Sequence, residues 1–239
     1  GKIMKKKIIT LVLTLGLMLA LAVSASAYSQ YATATITRDG VHLIFAGTMN
    51  TNASGPYVSH IQANQHVYNF ATGKTIFDRS NSGSKVSSIR VACSTGNIMN
   101  YWYCNDVHGL VQYAGDSTYY HDDAYKELNL MGRSGLYSDT SYNLLYNTHK
   151  ANRDSILTSF GYNPQDYTFY LNADAKSIMN SDVYVNMRHQ LNLEEGDSIP
   201  GYYLNKDKDR IIAVNQTNDG ENHMYVFEIS EDGNWAKVG

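Results

Sequence analysis

The sequence predicts an α+β protein: an N-terminal all-β sandwich of immunoglobulin-like size, followed by a region of helices and an antiparallel β-meander. Three observations support this prediction. Short β-forming runs separated by Gly-bearing turns fill residues 28–120. Helical periodicity begins near Thr140, and two Asp-Gly turns separate apolar runs close to the C-terminus. We predict four segments: a signal peptide (1–27), the sandwich (28–120), a linker (121–138) and the C-terminal region (139–239).

The first 27 residues have the composition of a secretory signal peptide. A lysine-rich start precedes the apolar run Ile8–Val23, and Ala25-Ser26-Ala27 matches an A-x-A cleavage site. A membrane anchor is the alternative, but the apolar run is short for a full span and a cleavage site follows it directly. We therefore expect a bacterial, secreted, extracellular protein that meets the membrane only through its signal peptide before cleavage.

The charge of the chain argues against nucleic acid as a partner. The sequence has 19 Lys and Arg residues against 22 Asp and Glu residues. Cleavage after Ala27 removes four lysines and no acids, which leaves 15 basic residues and a net charge of −7. Binding to a phosphate backbone requires a basic surface. No nucleic acid partner is therefore predicted.

The first half of the chain is predicted to be a series of antiparallel strands. Tyr31–Thr37 alternates apolar and polar residues, and the turn at Asp39-Gly40 leads into the β-rich run Val41–Thr48. This pattern predicts a hairpin. Further strands are predicted within 57–70 and 75–78, and two or three within Lys85–Tyr113, the run richest in β-forming residues.

Cys93 and Cys104 are the only two cysteines in the sequence. In an exported protein such a pair predicts a disulfide. The spacing is awkward, because a tight hairpin at Thr95-Gly96 would place Cys104 opposite Ser87. A bridge needs a wider loop or pairing between non-neighbouring strands. The alternative is a thiol nucleophile with His108 as its base, but no local signature of a cysteine protease accompanies either cysteine.

Tyr101, Trp102 and Tyr103 form the candidate ligand-binding site. On a strand, Tyr101 and Tyr103 share one face and Trp102 lies on the other. Exposed tyrosines stack on sugar rings or contact protein partners. The alternative is that one face belongs to the core and the other is an aromatic ladder across strands.

The second half is predicted to begin with a linker and continue with helices. Residues 121–138 are predicted as the linker, with a short helix over Ala124–Leu130. A longer helix is predicted from Thr140 or Ser141 towards Phe160, with Gly161 as its stop. A short strand at 167–171 and a second helix at 174–191 follow.

The end of the chain is predicted to be an antiparallel meander. Apolar runs at 199–204, 210–214, 224–229 and 235–238 alternate with polar turns, two of which contain Asp-Gly. We expect the helices to pack on one face of this sheet.

Two polar clusters resemble metal sites without meeting their requirements. His121-Asp122-Asp123, with His108 or Asp116, is one short cluster in a predicted linker, whereas metal sites need three or four converging ligands. Asn205-x-Asp207-x-Asp209 resembles the start of a calcium loop, but Arg210 stands where a glycine is required. No metal and no cofactor is predicted.

The remaining candidates for catalysis are equally weak. Glu194-Glu195-Gly196-Asp197 offers neighbouring carboxylates, but nothing in the sequence separates their pKa values as glycoside hydrolysis requires. His60 and His66 would share one face of a strand, where histidines are usually surface residues. No catalytic residue is therefore predicted.

The sequence favours a non-enzymatic extracellular binding protein whose partner is a cell-wall glycan or another extracellular protein. The predicted export and the tyrosine-rich β surface support this hypothesis. One alternative is a secreted hydrolase with a site between the two regions, which requires His108, His121 and acidic residues to converge. Another alternative is a secreted toxin or antimicrobial factor.

Overall fold

The computed structural model describes residues 28–131, 139–172, 181–229 and 235–239. The predicted signal peptide, residues 132–138 of the predicted linker and residues 174–180 of the predicted second helix lie outside the described residues. The described chain contains twelve strands and two α-helices, with these bounds: β1 Gln30–Asp39, β2 His42–Thr51, β3 Val58–Asn69, β4 Lys74–Gly83, β5 Ser88–Ser94, β6 Trp102–Tyr113, β7 Tyr119–Asn129, α1 Asp139–Ser159, β8 Tyr167–Leu171, α2 Ser181–Leu191, β9 Gly201–Asn205, β10 Arg210–Gln216, β11 Asn222–Ile229 and β12 Trp235–Lys237.

The first seven strands form two antiparallel sheets in a sandwich-like arrangement. One sheet has the order β1-β2-β5 and the other has the order β4-β3-β6-β7. The predicted hairpin is confirmed: β1 and β2 pair from Gln30 and Thr51 to Asp39 and His42. Gly40 in its turn has a φ of 59°, a conformation that glycine adopts without steric cost.

The core of the sandwich lies between the two sheets. Alternate residues of each strand point to opposite faces, and one face of β3 and β6 presents Val67, Tyr103 and Val107 to Phe45 and its neighbours on β2. The sheets approach closely at Gly47, where an added Cβ would lie 2.6 Å from Cγ2 of Val107. The absence of a side chain at Gly47 is therefore required by the packing.

The predicted disulfide is wrong because the four-stranded sheet separates the two cysteines. Cys93 lies on β5, between the sheets, and its thiol donates to Oε1 of Gln65 (3.5 Å). Cys104 lies on β6 and points to the opposite face, where its sulfur accepts from the Tyr125 hydroxyl (3.1 Å). Both cysteines are free. A bridge would have to pass through the backbone of β3 and β6.

The helix predicted over Ala124–Leu130 is also wrong. Residues Tyr119–Asn129 form β7, which pairs with β6 from Trp102 and Asn129 to Gln112 and Tyr119. Residues 121–129, assigned to the linker, are therefore part of the four-stranded sheet. The local sequence favours a helix, but the long edge of β6 offers a complete ladder of hydrogen bonds, and tertiary context overrides propensity.

The C-terminal region contains the predicted meander, a five-stranded antiparallel sheet with the order β12-β11-β10-β9-β8. The prediction that both helices pack on one face is wrong. Ile156 and Leu157 of α1 pack against one face of the sheet, which includes Ile212. Met187 and Leu191 of α2 belong to the cluster on the other face. Strand β10 is apolar at successive positions, so both of its faces need cover.

Helix α1 ends where the sequence predicts. Gly161 follows it with a φ of 88°, and its N–H donates to the carbonyl oxygen of Thr158 (2.9 Å). Glycine is the usual residue at this left-handed position. Within the described residues, neither helix is both long and apolar enough to cross a bilayer.

We predict that Gly47→Ala destabilises the protein by about 1–3 kcal/mol, because an extra methyl group in a packed core forces its neighbours to move. Gly96→Ala is the matched control, since a Cβ there meets no atom within 4 Å. The free energy of unfolding, measured by urea denaturation, should fall for Gly47→Ala only. Equal stabilities for the two variants would contradict the close approach of the sheets.

Candidate functional site

The outer face of the four-stranded sheet carries a continuous set of polar side chains. Strand register explains this set: His66 pairs with both Asp78 and Asp106, and His108 pairs with Asp123. Cross-strand partners lie side by side on one face. We call this set the polar face; it consists of Asn64, His66, Asp78, Asp106, His108 and Asp123.

Helix α2 covers the polar face and connects it to the C-terminal region. The ring of Tyr184 lies 4.6 Å from that of His108, between centroids. Arg188 forms an ion pair with Asp78. Nε2 of His189 lies 2.8 Å from Oδ1 of Asn64. The polar face is therefore an interface within the protein.

His108 lies between two carboxylates. Its side chain is fully buried, its Nδ1 is hydrogen-bonded to Asp123, and its Nε2 lies 3.4 Å from Oδ2 of Asp106. Burial alone would lower the pKa of His108, but Asp106 and then Asp123 outweigh it and raise the pKa above its ordinary value. A protonated imidazole that faces two carboxylates acts first as a structural cation. It works as a general base only if one of these contacts opens.

Arg188 brings a second buried charge to the same interface. Its side chain is 5% exposed, and its ion pair is with Asp78. Burial opposes its charge, but Asp78 more than compensates and raises the pKa of Arg188. Among the residues that the structure describes, its Nε and Nη1 have no hydrogen-bond partner. The pair is therefore desolvated and only partly satisfied.

His66 differs from His108, because burial keeps it neutral. Desolvation, aided by Arg188, lowers the pKa of His66 to about 4. Its Nε2 lies 3.1 Å from Oγ1 of Thr75, and its Nδ1 lies 3.1 Å from Nδ2 of Asn172. These neutral partners fix the ring without requiring a charge.

The polar face reaches solvent along β7. The side chain of Asp123 is 27% exposed, and Tyr125, two residues further along the strand, is 46% exposed. His121 lies on the same side of β7 and is half-buried. His108, His121 and acidic residues therefore lie near one another, as the hydrolase hypothesis requires, but His108 itself is sealed.

The predicted ligand-binding residues are mostly buried. Tyr103 is 1% exposed in the core between the sheets, and Tyr101 packs against the same cluster. Trp102 points to the opposite face, is 7% exposed, and donates from Nε1 to Oε2 of Glu127 (3.1 Å). Their positions favour the alternative interpretation, in which one side of the strand is core. Ligand binding by these residues stays a prediction.

The cluster His121-Asp122-Asp123 is divided between two faces of β7. Asp123 lies on the polar face, whereas Oδ2 of Asp122 accepts from the N–H of Ala32 on β1 (2.9 Å). Asp116 is occupied in a turn, where it accepts from the N–H of Thr118 (2.8 Å). Among the described residues, no group of three His, Cys, Asp or Glu side chains is placed to hold a metal ion.

The other acidic motifs form turns. Oδ1 of Asn205 accepts from the N–H groups of Asp209 and Arg210, at 3.1 and 3.0 Å. The carboxylate of Asp197 accepts from the N–H groups of Glu194 and Asn218, both at 2.9 Å. These hydrogen bonds are those of side chains that close turns.

Two of the pockets formed by the described residues are lined wholly or partly by the C-terminal region. One has a volume of about 430 Å³, and its lining includes Glu194, Asp219 and Tyr225. The other has a volume of about 300 Å³, and its lining includes Lys74 and Arg153. The sequence carries no signal for either pocket, since their walls come from segments far apart in the chain.

No protein-family model matches this chain, and no curated protein sequence matches it. A crystal structure described as a "putative beta-galactosidase from bacteroides fragilis" is similar over 41% of this chain and 16% of that chain. The sequence identity is 13% and the TM-score is 0.26. A similarity of this size carries no argument about fold or function.

We predict that His108→Gln destabilises the protein by about 3–5 kcal/mol at pH 6, because it leaves two carboxylates without their cation. The folded-state pKa of His108 lies above the unfolded value of about 6.5. Its stabilisation is therefore complete below about pH 6.5 and is lost as the pH rises through the folded-state pKa. The difference in unfolding free energy between wild type and variant should shrink over that range.

The groups that face His108 are Asp106 and Asp123 from the sheet and Tyr184 from α2. The pKa of His66 is lowered, so its effect on stability has the opposite pH dependence and occurs at lower pH. This effect is the same in the wild type and in His108→Gln. Urea denaturation at several pH values measures the difference. A difference that stays constant from pH 6 to pH 9 would show that the imidazole is neutral in the folded state.

We also predict that the purified protein contains two free thiols. Burial raises the pKa of Cys93 to about 11 and that of Cys104 to about 12, so both should react slowly with a thiol reagent at pH 8. After denaturation without reductant, the reagent should count two thiols per chain. A count of zero, restored to two by reductant, would re-establish the disulfide.

Proposed function

We propose that the protein is an exported, non-enzymatic binding protein that acts at or near the cell envelope on a glycan or protein ligand. The observation that supports this proposal best is the contrast between its open and its sealed polar sites. The two open pockets are lined mainly by hydrogen-bonding side chains. The histidine–carboxylate cluster is covered by α2, and both ring nitrogens of His108 face carboxylates.

The chemistry of the cysteines also favours binding over nucleophilic catalysis. A thiol attacks as its thiolate, and burial raises the pKa of the Cys104 thiol to about 12. Its sulfur accepts a hydrogen bond from Tyr125 and contacts the apolar cluster around Phe70. An inert, buried thiol of this kind is a core residue.

The architecture is compatible with extracellular recognition. We propose that the seven-stranded sandwich has the size of an immunoglobulin-like domain, although its likeness to that family is one of size only. In this proposal the sandwich is a rigid support, and the pockets of the C-terminal region hold the ligand. Secretion follows from the signal peptide that the sequence predicts.

A secreted hydrolase is the second candidate, and one observation favours it. Asp106, His108 and Asp123 are adjacent at the interface between the two regions, and Asp123 is partly exposed. Buried groups with shifted pKa values concentrate at functional sites. In this alternative, α2 moves and frees one nitrogen of His108 for acid–base chemistry on water.

A retention experiment tests the proposed function. Purified protein is incubated with washed bacterial cell walls and with insoluble polysaccharides, and the bound and soluble fractions are compared. We expect retention on at least one matrix, where an unrelated protein of similar net charge is not retained. Absence of retention on every matrix would overturn the envelope-glycan form of the proposal and leave a protein partner.

The same incubation distinguishes the hydrolase. If the protein is an enzyme, soluble fragments should accumulate from the matrix, and Asp123→Asn should abolish their release while retention persists. Asp123→Asn is preferred to a change at His108 because Asp123 is at the solvent edge and its substitution disturbs the core less. Retention without fragment release supports the binding protein.

A further inference from the structure

The pocket of about 300 Å³ lies where three parts of the chain meet. The first residue of β4 contributes Lys74, helix α1 contributes Arg153 and Ser155, the loop before β9 contributes Ser198, and β10 contributes Gln216. Small-molecule sites have volumes of about 300–1,000 Å³. This pocket is at the lower end, which suits one sugar residue or one small charged group.

Arg153 gives this pocket a buried positive charge. It is 3% exposed, and its Nε and Nη2 both donate to the carbonyl oxygen of Ile199, at 3.0 and 2.5 Å. Within the described residues Arg153 forms no ion pair, and its Nη1 makes no hydrogen bond. Burial lowers the pKa of Arg153 to about 10, so it remains charged at neutral pH. A buried cation without a counter-ion is costly.

The nearest acid in the sequence does not neutralise this cation. The carboxylate of Asp154 accepts from Nζ of Lys150 (2.5 Å) and from the Tyr203 hydroxyl (2.8 Å). None of the residues that line the pocket is acidic. The lining therefore differs in charge from the C-terminal half of the chain, in which acidic residues exceed basic ones.

Lys74 adds a second cation, and its backbone is fixed in place. The residue forms an isolated β-bridge with Ser198. The preceding Gly73 has a φ of 64°, and a Cβ there would lie 2.6 Å from Cε1 of His149 on α1. Lys74 is half-buried and forms no ion pair within the described residues. The close contact between Gly73 and His149 of α1 keeps Lys74 and Arg153 at the same pocket.

Uncharged donors complete the lining. The side chains of Asn152 and Ser155 line the pocket from α1 and make no hydrogen bond to any described residue. Oγ of Ser198 accepts from the N–H of Gln216 (2.7 Å), which leaves its proton available to another acceptor. Two cations together with hydroxyl and amide donors are suited to bind the oxygen atoms of an anion, because charge-assisted hydrogen bonds are stronger than those between neutral groups.

We propose that this pocket binds an anionic oxygen group, a carboxylate or a phosphate, carried by an envelope polysaccharide. The inference rests on the proposed function and adds the chemical class of the ligand. The anionic group occupies the position between Arg153 and Lys74. The net negative charge of the rest of the protein disfavours a dense polyanion, so recognition is of one group at a time.

Calorimetric titration of the purified protein tests this assignment with inorganic phosphate and with glucuronate. Glucose is the neutral control, and sodium chloride at equal ionic strength is the control for screening. We expect saturable binding of at least one of the two anions and none of glucose or chloride. The phosphate and glucuronate titrations distinguish a phosphate-bearing polymer from a uronic acid polymer.

Variants locate the binding. Lys74→Ala should weaken anion binding about tenfold, since a charge-assisted hydrogen bond contributes on that scale, and Lys74→Glu should abolish it. Lys126→Ala is the matched control, because Lys126 is exposed on β7 and lies outside the pocket lining. Arg153→Lys keeps the charge and tests the contribution of the Arg153 guanidinium, while Arg153→Gln risks unfolding through the lost contacts with Ile199.

The outcomes separate this inference from the proposed function. Binding of glucose equal to that of the anions, or equal affinities for Lys74→Ala and Lys126→Ala, would overturn the anion site. If retention on cell walls persists in that case, the binding function stands and its site lies elsewhere. Anion binding without retention on any matrix would support the anion site, overturn an envelope polysaccharide as its ligand, and leave a protein partner.

Discussion

The burial of charge between the sandwich and helix α2 is the constraint on which the arrangement of the two regions depends. Asp78 and Arg188 are largely withdrawn from water and lie on different sides of the interface. A buried charge is tolerated when an opposite charge accompanies it. The sandwich therefore supplies a carboxylate that Arg188 of the C-terminal region neutralises, and α2 must lie where Arg188 reaches it. Tyr184 and His189 add contacts that fix the same position.

The four-stranded sheet separates two kinds of interior. Its inner face is mainly apolar, but Nε2 of Gln65 donates to Oδ1 of Asn105 (2.9 Å), and Nδ2 of Asn105 donates to the carbonyl oxygens of Thr35 and Ala46. These bonds connect the two sheets and satisfy polar groups that would be costly if unpaired. The outer face is charged and depends on α2. Successive side chains of β3 and β6 point to opposite faces of the sheet, which separates the apolar interior from the charged one.

The proposed function rests on the difference between polar groups that are open to solvent and polar groups that are buried. At His108 the polar partners are inside the protein, so this site stabilises the interface in the arrangement described here. At the pocket formed by Lys74 and Arg153 the positive charges lack an internal partner among the described residues. A site with unmet charge is the one that gains from a ligand. The meander has apolar residues on both faces and is covered on both, which places the pocket at its junction with α1 and the β3–β4 turn.

Local sequence determined the elements whose signals are local. The Asp39-Gly40 turn, the Gly161 helix stop and the Asp219-Gly220 turn depend on backbone conformations that few residues adopt, so the β1–β2 hairpin, the end of α1 and the β10–β11 hairpin of the meander could be predicted. Only the tertiary structure decided that β5 and β6 join different sheets, that Cys93 and Cys104 lie on opposite sides of one sheet, and that Tyr119–Asn129 is a strand. Strand pairing depends on contacts between residues far apart in the sequence. The stable pairing is the one that buries more apolar surface and forms more backbone hydrogen bonds. The polar face and the Arg153 pocket could not be predicted from the sequence for the same reason, because their residues come together only when the strands have paired.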